Sequence, residues 1–210
     1  MKRTTVVRLR GMRFADAVSR NKTLIIMLAA FVLGVVLGTL QIKHINSGVM
    51  SQVAEKFAGY LSVRRKRAFF PMLLSSCKLW LPYFIVAFLC GTSLVGVAVT
   101  PPVIGCYGYI YGILSAYLYK TYSLAGVGFL FLIVLPARVI SSFGMLLSGR
   151  ESLDFSFTVA KVTLQSSSLT HAYTDFKNYC LHNLIILILL IVSSLIDCLF
   201  AVCFIRFFGF

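Results

Sequence analysis

The sequence predicts an all-α integral membrane protein: a polytopic bundle of about five transmembrane helices with one amphipathic helix at the membrane interface. Hydrophobic residues make up 59% of the chain and charged residues 12%, and the mean hydropathy is +0.91. A soluble domain carries roughly a quarter of charged residues, so this chain is too apolar for that class. A spanning helix takes about 20 residues, and the apolar runs are long enough for five of them. No room is left for a separate soluble catalytic domain.

A single membrane domain is predicted over residues 23–210, after a basic tail over residues 1–22. Its spans are predicted at about residues 23–42, 79–100, 103–119, 124–147 and 181–204. We interpret the first as a retained span rather than a signal peptide, because it is longer than a signal peptide's apolar region and no A-x-A-like site follows it. A polar loop is predicted over residues 148–179.

An amphipathic helix is predicted at about residues 47–62, between the first two spans. Its apolar side chains recur at helical spacing and polar residues fill the other side. They are Val49, Met50, Val53, Phe57 and Leu61. We expect this helix to lie flat on the outer surface of the membrane, followed by a basic cluster, Arg64 to Arg67.

The basic tail bears on the orientation. Seven Lys and Arg residues precede the first span against one acid, so the tail is expected in the cytoplasm, near anionic headgroups. Five spans then put the C-terminus outside. Counted over the two sides, Lys and Arg number ten and nine, so charge alone does not decide the orientation. Nucleic-acid binding by the tail is disfavoured, because aromatic residues do not alternate with its basic residues and no nucleic-acid-binding fold accompanies it.

Glycines form the clearest packing signal in the apolar runs. Gly34 and Gly38 stand in a G-x-x-x-G frame, and Gly105, Gly108 and Gly112 line one face of the third span. Helix backbones approach closely where side chains are absent, so such faces favour helix packing, within the chain or in a homo-oligomer. The alternative is that small residues are simply common in membrane helices. The predicted packing residues are Gly34, Gly38, Gly91, Gly96, Gly105, Gly108 and Gly112.

Three prolines are predicted to interrupt the helices. Pro101 and Pro102 each lack an N–H, and Pro102 also restricts the residue before it, which favours a tight turn between the second and third spans. Pro136 is expected to break the fourth span.

Two charges lie inside predicted spans, Arg138 in the fourth and Asp197 in the fifth. A single charge in hydrocarbon costs roughly 3 kcal/mol on insertion scales unless it is paired. We predict that Arg138 and Asp197 form an intramembrane pair. The alternative is that Arg138 snorkels to the headgroups and Asp197 is kept neutral by burial.

Motifs of enzymatic chemistry do not appear in the sequence. It contains no Walker loop, G-x-S-x-G elbow or H-E-x-x-H motif, its three histidines are scattered, and its six cysteines show no C-x-x-C spacing. We therefore predict no catalytic, cofactor-binding or metal-ligating residues, and a protein that is not an enzyme.

Several short motifs together resemble those of the stage II sporulation protein M family. They are Gly91-Thr-Ser-Leu-Val-Gly96, Gly108-Tyr-Ile-Tyr-Gly112, Leu135-Pro136, and Ser193-Ser194-Leu-Ile-Asp197 in the last span. The resemblance runs from about Thr23 to the C-terminus, and Arg138 departs from the uncharged residues expected just after the proline. It implies a multi-pass protein of the bacterial cell membrane without catalytic activity, working with a membrane-anchored peptidoglycan hydrolase in engulfment during sporulation.

Two functions remain open at this point. The first is a scaffold that organises other membrane proteins through helix packing. The second is a small transporter or channel subunit, in which Arg138 and Asp197 would line a path for an ion or substrate. A hydrophilic path through the bundle would favour transport, and the few polar side chains of the second to fourth spans favour the scaffold.

Overall fold

A computed structural model describes residues 22–42, 47–65, 68–165 and 169–204, and all regular elements in these ranges are helical. In chain order they are α1 (Lys22–Gln41), α2 (Ser47–Arg65), α3 (Phe69–Gly91), α4 (Gly96–Phe129), a π-helical turn (Leu130–Val134), α5 (Leu135–Gln165) and α6 (Leu169–Phe204). The predicted all-α fold class is confirmed. Apart from Lys22, the predicted basic tail lies outside the described residues.

Five helical segments of the described chain are long and apolar enough to cross a membrane. They are Lys22–Gln41, Phe69–Gly91, Gly96–Leu124, Gly126–Thr163 and Thr174–Phe204. The chain is thus a multi-pass membrane protein with the predicted number of spans. The amphipathic α2 is not among them, because polar and charged residues make up much of its length.

The third and fourth spans are separated by a change of backbone direction at Ser123, within the range of α4. Ser123 has φ 49° and ψ −126°, a conformation with positive φ that L-residues adopt rarely. Gly126 follows, and a Cβ built on it would lie against the carbonyl oxygen of Leu118. The reversal therefore depends on one strained residue and one residue without a side chain.

The turn predicted at Pro101 and Pro102 is wrong, because both prolines lie inside α4. The chain turns instead between Gly91 and Gly96, where the backbone N–H of Ser93 donates to the carbonyl of Cys90 and that of Gly96 to the carbonyl of Ser93. The two prolines lie in the second turn of α4, so each removes one intrahelical hydrogen bond without ending the helix. The second span consequently begins and ends about ten residues earlier than predicted.

Pro136 does not break the fourth span either. The helix runs on through it, and the five residues Leu130–Val134 just before it adopt a π-helical turn. A wider turn of this kind adapts the helix to a proline without ending it.

The polar loop predicted over residues 148–179 is largely helical, since the fourth span extends to Thr163 and the fifth begins at Thr174. The charged residues that predicted the loop, such as Asp154 and Lys161, are exposed on these helices. Ser148, Ser152 and Ser156 are buried instead, and their hydroxyls are hydrogen-bonded to the rest of the bundle, so these three serines mark an interface between helices.

Buried side chains form two clusters in the bundle. One contains Met27, Trp80, Tyr107, Met145 and Leu190 and joins α1 with α3 to α6. The other lies where α2 packs on the bundle, and its members include Phe57, Tyr117, Phe129, Ile133 and Ala201. In α2, Phe57 is 4% exposed and Arg64 is 1% exposed. The helix predicted to lie flat on the surface therefore inserts one side into the bundle.

Candidate functional site: the polar interior of the bundle

The predicted glycine faces meet each other between α1 and α4. A Cβ built on Gly34 would lie against the carbonyl oxygen of Gly105, and one on Gly38 against that of Tyr109. On α4, a Cβ built on Gly108 would lie against the carbonyl oxygen of Phe31, and one built on Gly112 would lie against the carbonyl oxygen of Val35. Gly105 is less tight, with its built Cβ 3.3 Å from the carbonyl oxygen of Ala30. The chain's own α1 thus occupies this face.

Gly91 and Gly96 serve a different contact, at the turn between α3 and α4. A Cβ on Gly91 would come within 2.8 Å of the Ser152 Cα, and one on Gly96 would lie against the Cys90 carbonyl. The missing side chains let α5 approach the turn closely enough for Ser156 to donate a 2.6 Å hydrogen bond to the carbonyl of Ser93.

Asp197 lies at the centre of a buried polar cluster formed by α2, α3 and α6. Its carboxylate makes an ion pair with Arg64 and accepts hydrogen bonds from Ser76 Oγ at 2.6 Å and from Tyr60 Oη at 3.4 Å. The Arg64 guanidinium lies over the Tyr60 ring, 3.2 Å from its centroid. Burial, with a further contribution from the Asp197 charge, raises the pKa of the Tyr60 hydroxyl, which therefore stays protonated as a donor.

The predicted ion pair between Arg138 and Asp197 is therefore wrong. Asp197 pairs instead with Arg64, which lies 133 positions away in the sequence, at the end of the amphipathic helix α2. Sequence reasoning placed Arg64 in a surface cluster with its basic neighbours. A signal was present, because Arg64 follows Phe57 by seven residues and so continues the apolar stripe of α2.

Arg138 instead donates from Nη1 to Tyr111 Oη at 2.7 Å and lies 4.9 Å from the centre of the same ring. The Tyr111 hydroxyl also lies 2.9 Å from that of Tyr107, and both approach Ser141 Oγ at 3.2 Å. Among the described residues, no carboxylate lies within 4.0 Å of the Arg138 guanidinium. Arg138 and Asp197 still border one narrow cavity of about 10 Å³, so the structure brings the two charges near each other without a direct pair.

Further polar side chains join α5 and α6 along their length, and we call this set the polar spine. Ser148 donates to Asn183 Oδ1 at 3.0 Å, Ser152 and Tyr179 share a hydrogen bond of 3.1 Å, and Ser193 donates to the carbonyl of Ala137 at 2.6 Å. Trp80 of α3 also contributes, because its Nε1 donates a 2.9 Å hydrogen bond to Ser194 Oγ of α6. In lipid, hydrogen bonds of this kind stabilise helix association.

No family model matches the sequence, and neither a curated protein nor a solved structure matches it. The resemblance to the stage II sporulation protein M family therefore stays a prediction.

Proposed function

We propose that this chain is a non-enzymatic membrane scaffold that organises other membrane proteins around a rigid helical bundle. The observation that carries the proposal is that the fully buried polar side chains, such as Asp197, Ser148 and Ser193, are hydrogen-bonded to other groups of the bundle. Within the described chain, Arg64 Nε is the one buried side-chain nitrogen or oxygen without a hydrogen-bond partner. A scaffold needs such closed interhelical contacts, whereas a transporter needs polar groups that are free to take a substrate.

The cavities beside these groups support the same function. The one between Arg138 and Asp197 has about 10 Å³ and the one beside Tyr107 and Tyr111 about 20 Å³, each enough for about one water. Two larger cavities, of about 290 Å³ and 420 Å³, also border Arg138, but their walls are almost entirely apolar, so they do not form a hydrophilic route through the bundle. The large apolar surface of the helices remains for lipid and for other membrane proteins.

The class of partner follows from the sequence resemblance. We propose a membrane-anchored peptidoglycan hydrolase as partner, in the bacterial cell membrane, with engulfment during sporulation as the process. The N-terminus is proposed to be cytoplasmic, which puts the turn between Gly91 and Gly96 inside and Ser123 outside.

Copurification tests the scaffold. Tagged protein is extracted from native membranes in a mild detergent, and its partners are quantified by mass spectrometry. We expect a membrane-anchored hydrolase in near-stoichiometric amount with the wild type and with Leu37→Ala, which changes an exposed side chain of α1. Gly38→Leu, at the next position but inside the helix interface, should lose that partner.

The transporter remains the rival, favoured by the one observation that the Arg138 cation has no acidic partner among the described residues. Reconstituted into proteoliposomes, a scaffold leaves ion and solute permeability at the level of empty vesicles. A protein that purifies without a partner and raises permeability in a way that Arg138→Gln abolishes would overturn the proposal.

Thiol labelling tests the orientation. In a cysteine-free background, a cysteine at Leu94 should react with an impermeant reagent only after permeabilisation, and one at Lys120 should react in intact cells. Both positions are exposed, at opposite ends of the third span. The reverse pattern would put the N-terminus outside.

A further inference from the structure

A cavity of about 290 Å³ lies beneath α2, between that helix and the bundle. Its wall is almost entirely apolar and is contributed by α2, α3, α4 and the π-helical turn, with Phe57, Leu79, Ile110, Leu114 and Val134 among its residues. Sites for small amphiphilic ligands in proteins share this size and character, with few polar groups on an apolar wall.

The charged groups of this cavity carry one sign. Lys56 and Arg138 line it, and no acidic residue does. The Arg138 guanidinium uses Nη1 for Tyr111, and its other N–H groups are not among the buried donors without a partner, so they face open space. Placing a guanidinium in apolar surroundings costs free energy unless an anion or a water molecule hydrogen-bonds to it.

A second cavity, of about 420 Å³, borders Arg138 on the side of α1. The two cavities share Arg138 and Val134 as lining residues, and the second is again mainly apolar, with Phe31, Val35 and Leu146 in its wall. Apolar space is thus available on both sides of one cation.

We propose that Arg138 and Lys56 bind the phosphate of an anionic phospholipid, with its acyl chains in the apolar cavities beside Arg138. A phosphate accepts strong charge-assisted hydrogen bonds from a guanidinium, and the membrane itself supplies anionic lipids. A lipid with a zwitterionic headgroup brings no net charge to balance the two cations. The site is independent of the scaffold function, since it needs no protein partner.

Native mass spectrometry of the full-length protein in detergent, titrated with phosphatidylglycerol or phosphatidylcholine, tests the site. We expect one phosphatidylglycerol per chain to bind saturably, at concentrations where phosphatidylcholine does not. Arg138→Gln should weaken this binding about tenfold, the effect of losing one charge-assisted hydrogen bond. Lys56→Gln should weaken it less, because Lys56 is exposed at the cavity edge.

A matched control is Lys120→Gln, which removes an exposed lysine of α4 that lines neither cavity and should leave binding unchanged. Leu114→Trp keeps every charge and fills the cavity beneath α2, so it should abolish lipid binding. If Arg138→Gln does not elute as a folded species, Leu114→Trp and Lys56→Gln decide the question. Equal binding of the two lipids, or unchanged binding in Leu114→Trp, would overturn the proposal. Displacement of the lipid by millimolar inorganic phosphate would also overturn it, in favour of a free anion.

Discussion

The glycine interface between α1 and α4 and the Asp197 cluster stabilise the bundle in opposite ways. At the first, side chains are absent and backbones touch, as Gly34 does with Gly105. At the second, Asp197 and Arg64 are charged, buried and far apart in the sequence, and α2 is attached to the bundle through them. The first interface tolerates no added volume, and the second tolerates no lost partner. Substitutions that add volume at the glycine interface, or that remove one partner of the ion pair, test this difference between the two interfaces.

The largest effect is expected at the ion pair. Asp197→Ala leaves the buried Arg64 guanidinium without its counter-charge, which we expect to cost about 3–5 kcal/mol of stability. The loss should appear as a lower melting temperature in fluorescence-detected size exclusion. Asp154→Asn, which removes the charge of a partly exposed pair with Arg150 and keeps an acceptor for Thr23, should cost less than about 1 kcal/mol.

A double substitution separates pairing from packing at the same site. Arg64→Leu combined with Asp197→Leu removes both charges and should recover most of the stability that Asp197→Ala loses. In contrast, exchanging charges between Arg138 and Asp197 should restore nothing, because Arg138 is not the partner. Recovery in that exchange would contradict the assignment of Arg64.

A smaller effect is expected at the glycine interface. Gly38→Leu forces a side chain against the Tyr109 carbonyl and should cost about 1–3 kcal/mol by overpacking. Leu37→Ala alters an adjacent, largely exposed position and should melt within a degree or two of the wild type. Equal melting of the two variants would mean that α1 and α4 separate without a loss of stability.

A local effect of the opposite sign is expected at Ser123. Its φ of 49° costs a non-glycine residue about 1 kcal/mol or more, and Ser123→Gly removes that strain. We expect a small rise in melting temperature. Ser123→Val should lower it, since a β-branched residue is still less tolerant of this conformation. A fall with glycine would show that the serine hydroxyl matters more than the backbone.

The smallest effect is expected in the polar spine. Ser148→Ala removes one hydrogen bond to Asn183 and should cost about 0.6 kcal/mol, the average for such bonds in membrane proteins. Ser62→Ala, at an exposed position of α2, is a control without an interhelical bond. A much larger loss at Ser148 would mean that Asn183 finds no alternative partner.

The comparison also separates what the sequence could predict from what it could not. Glycines four residues apart predict a packing face because the periodicity of a helix is local information. The partner of Asp197 could not be found that way, because an ion pair across 133 positions depends on where α2 packs. The prediction of a turn at Pro101 was wrong for a similar reason. Whether Pro101 begins a turn or lies within the first turns of a helix depends on where Gly91 and Gly96 contact α5.

By itself, the sequence determined the all-α membrane bundle, its five spans and an amphipathic helix between the first two, because hydrophobicity and its period act within each segment. The tertiary structure decided that α1 covers the glycine face of α4, that Arg64 rather than Arg138 neutralises Asp197, and that Arg138 faces two apolar cavities. Those outcomes depend on which helices pack together, and a buried charge takes the partner that packing brings within reach.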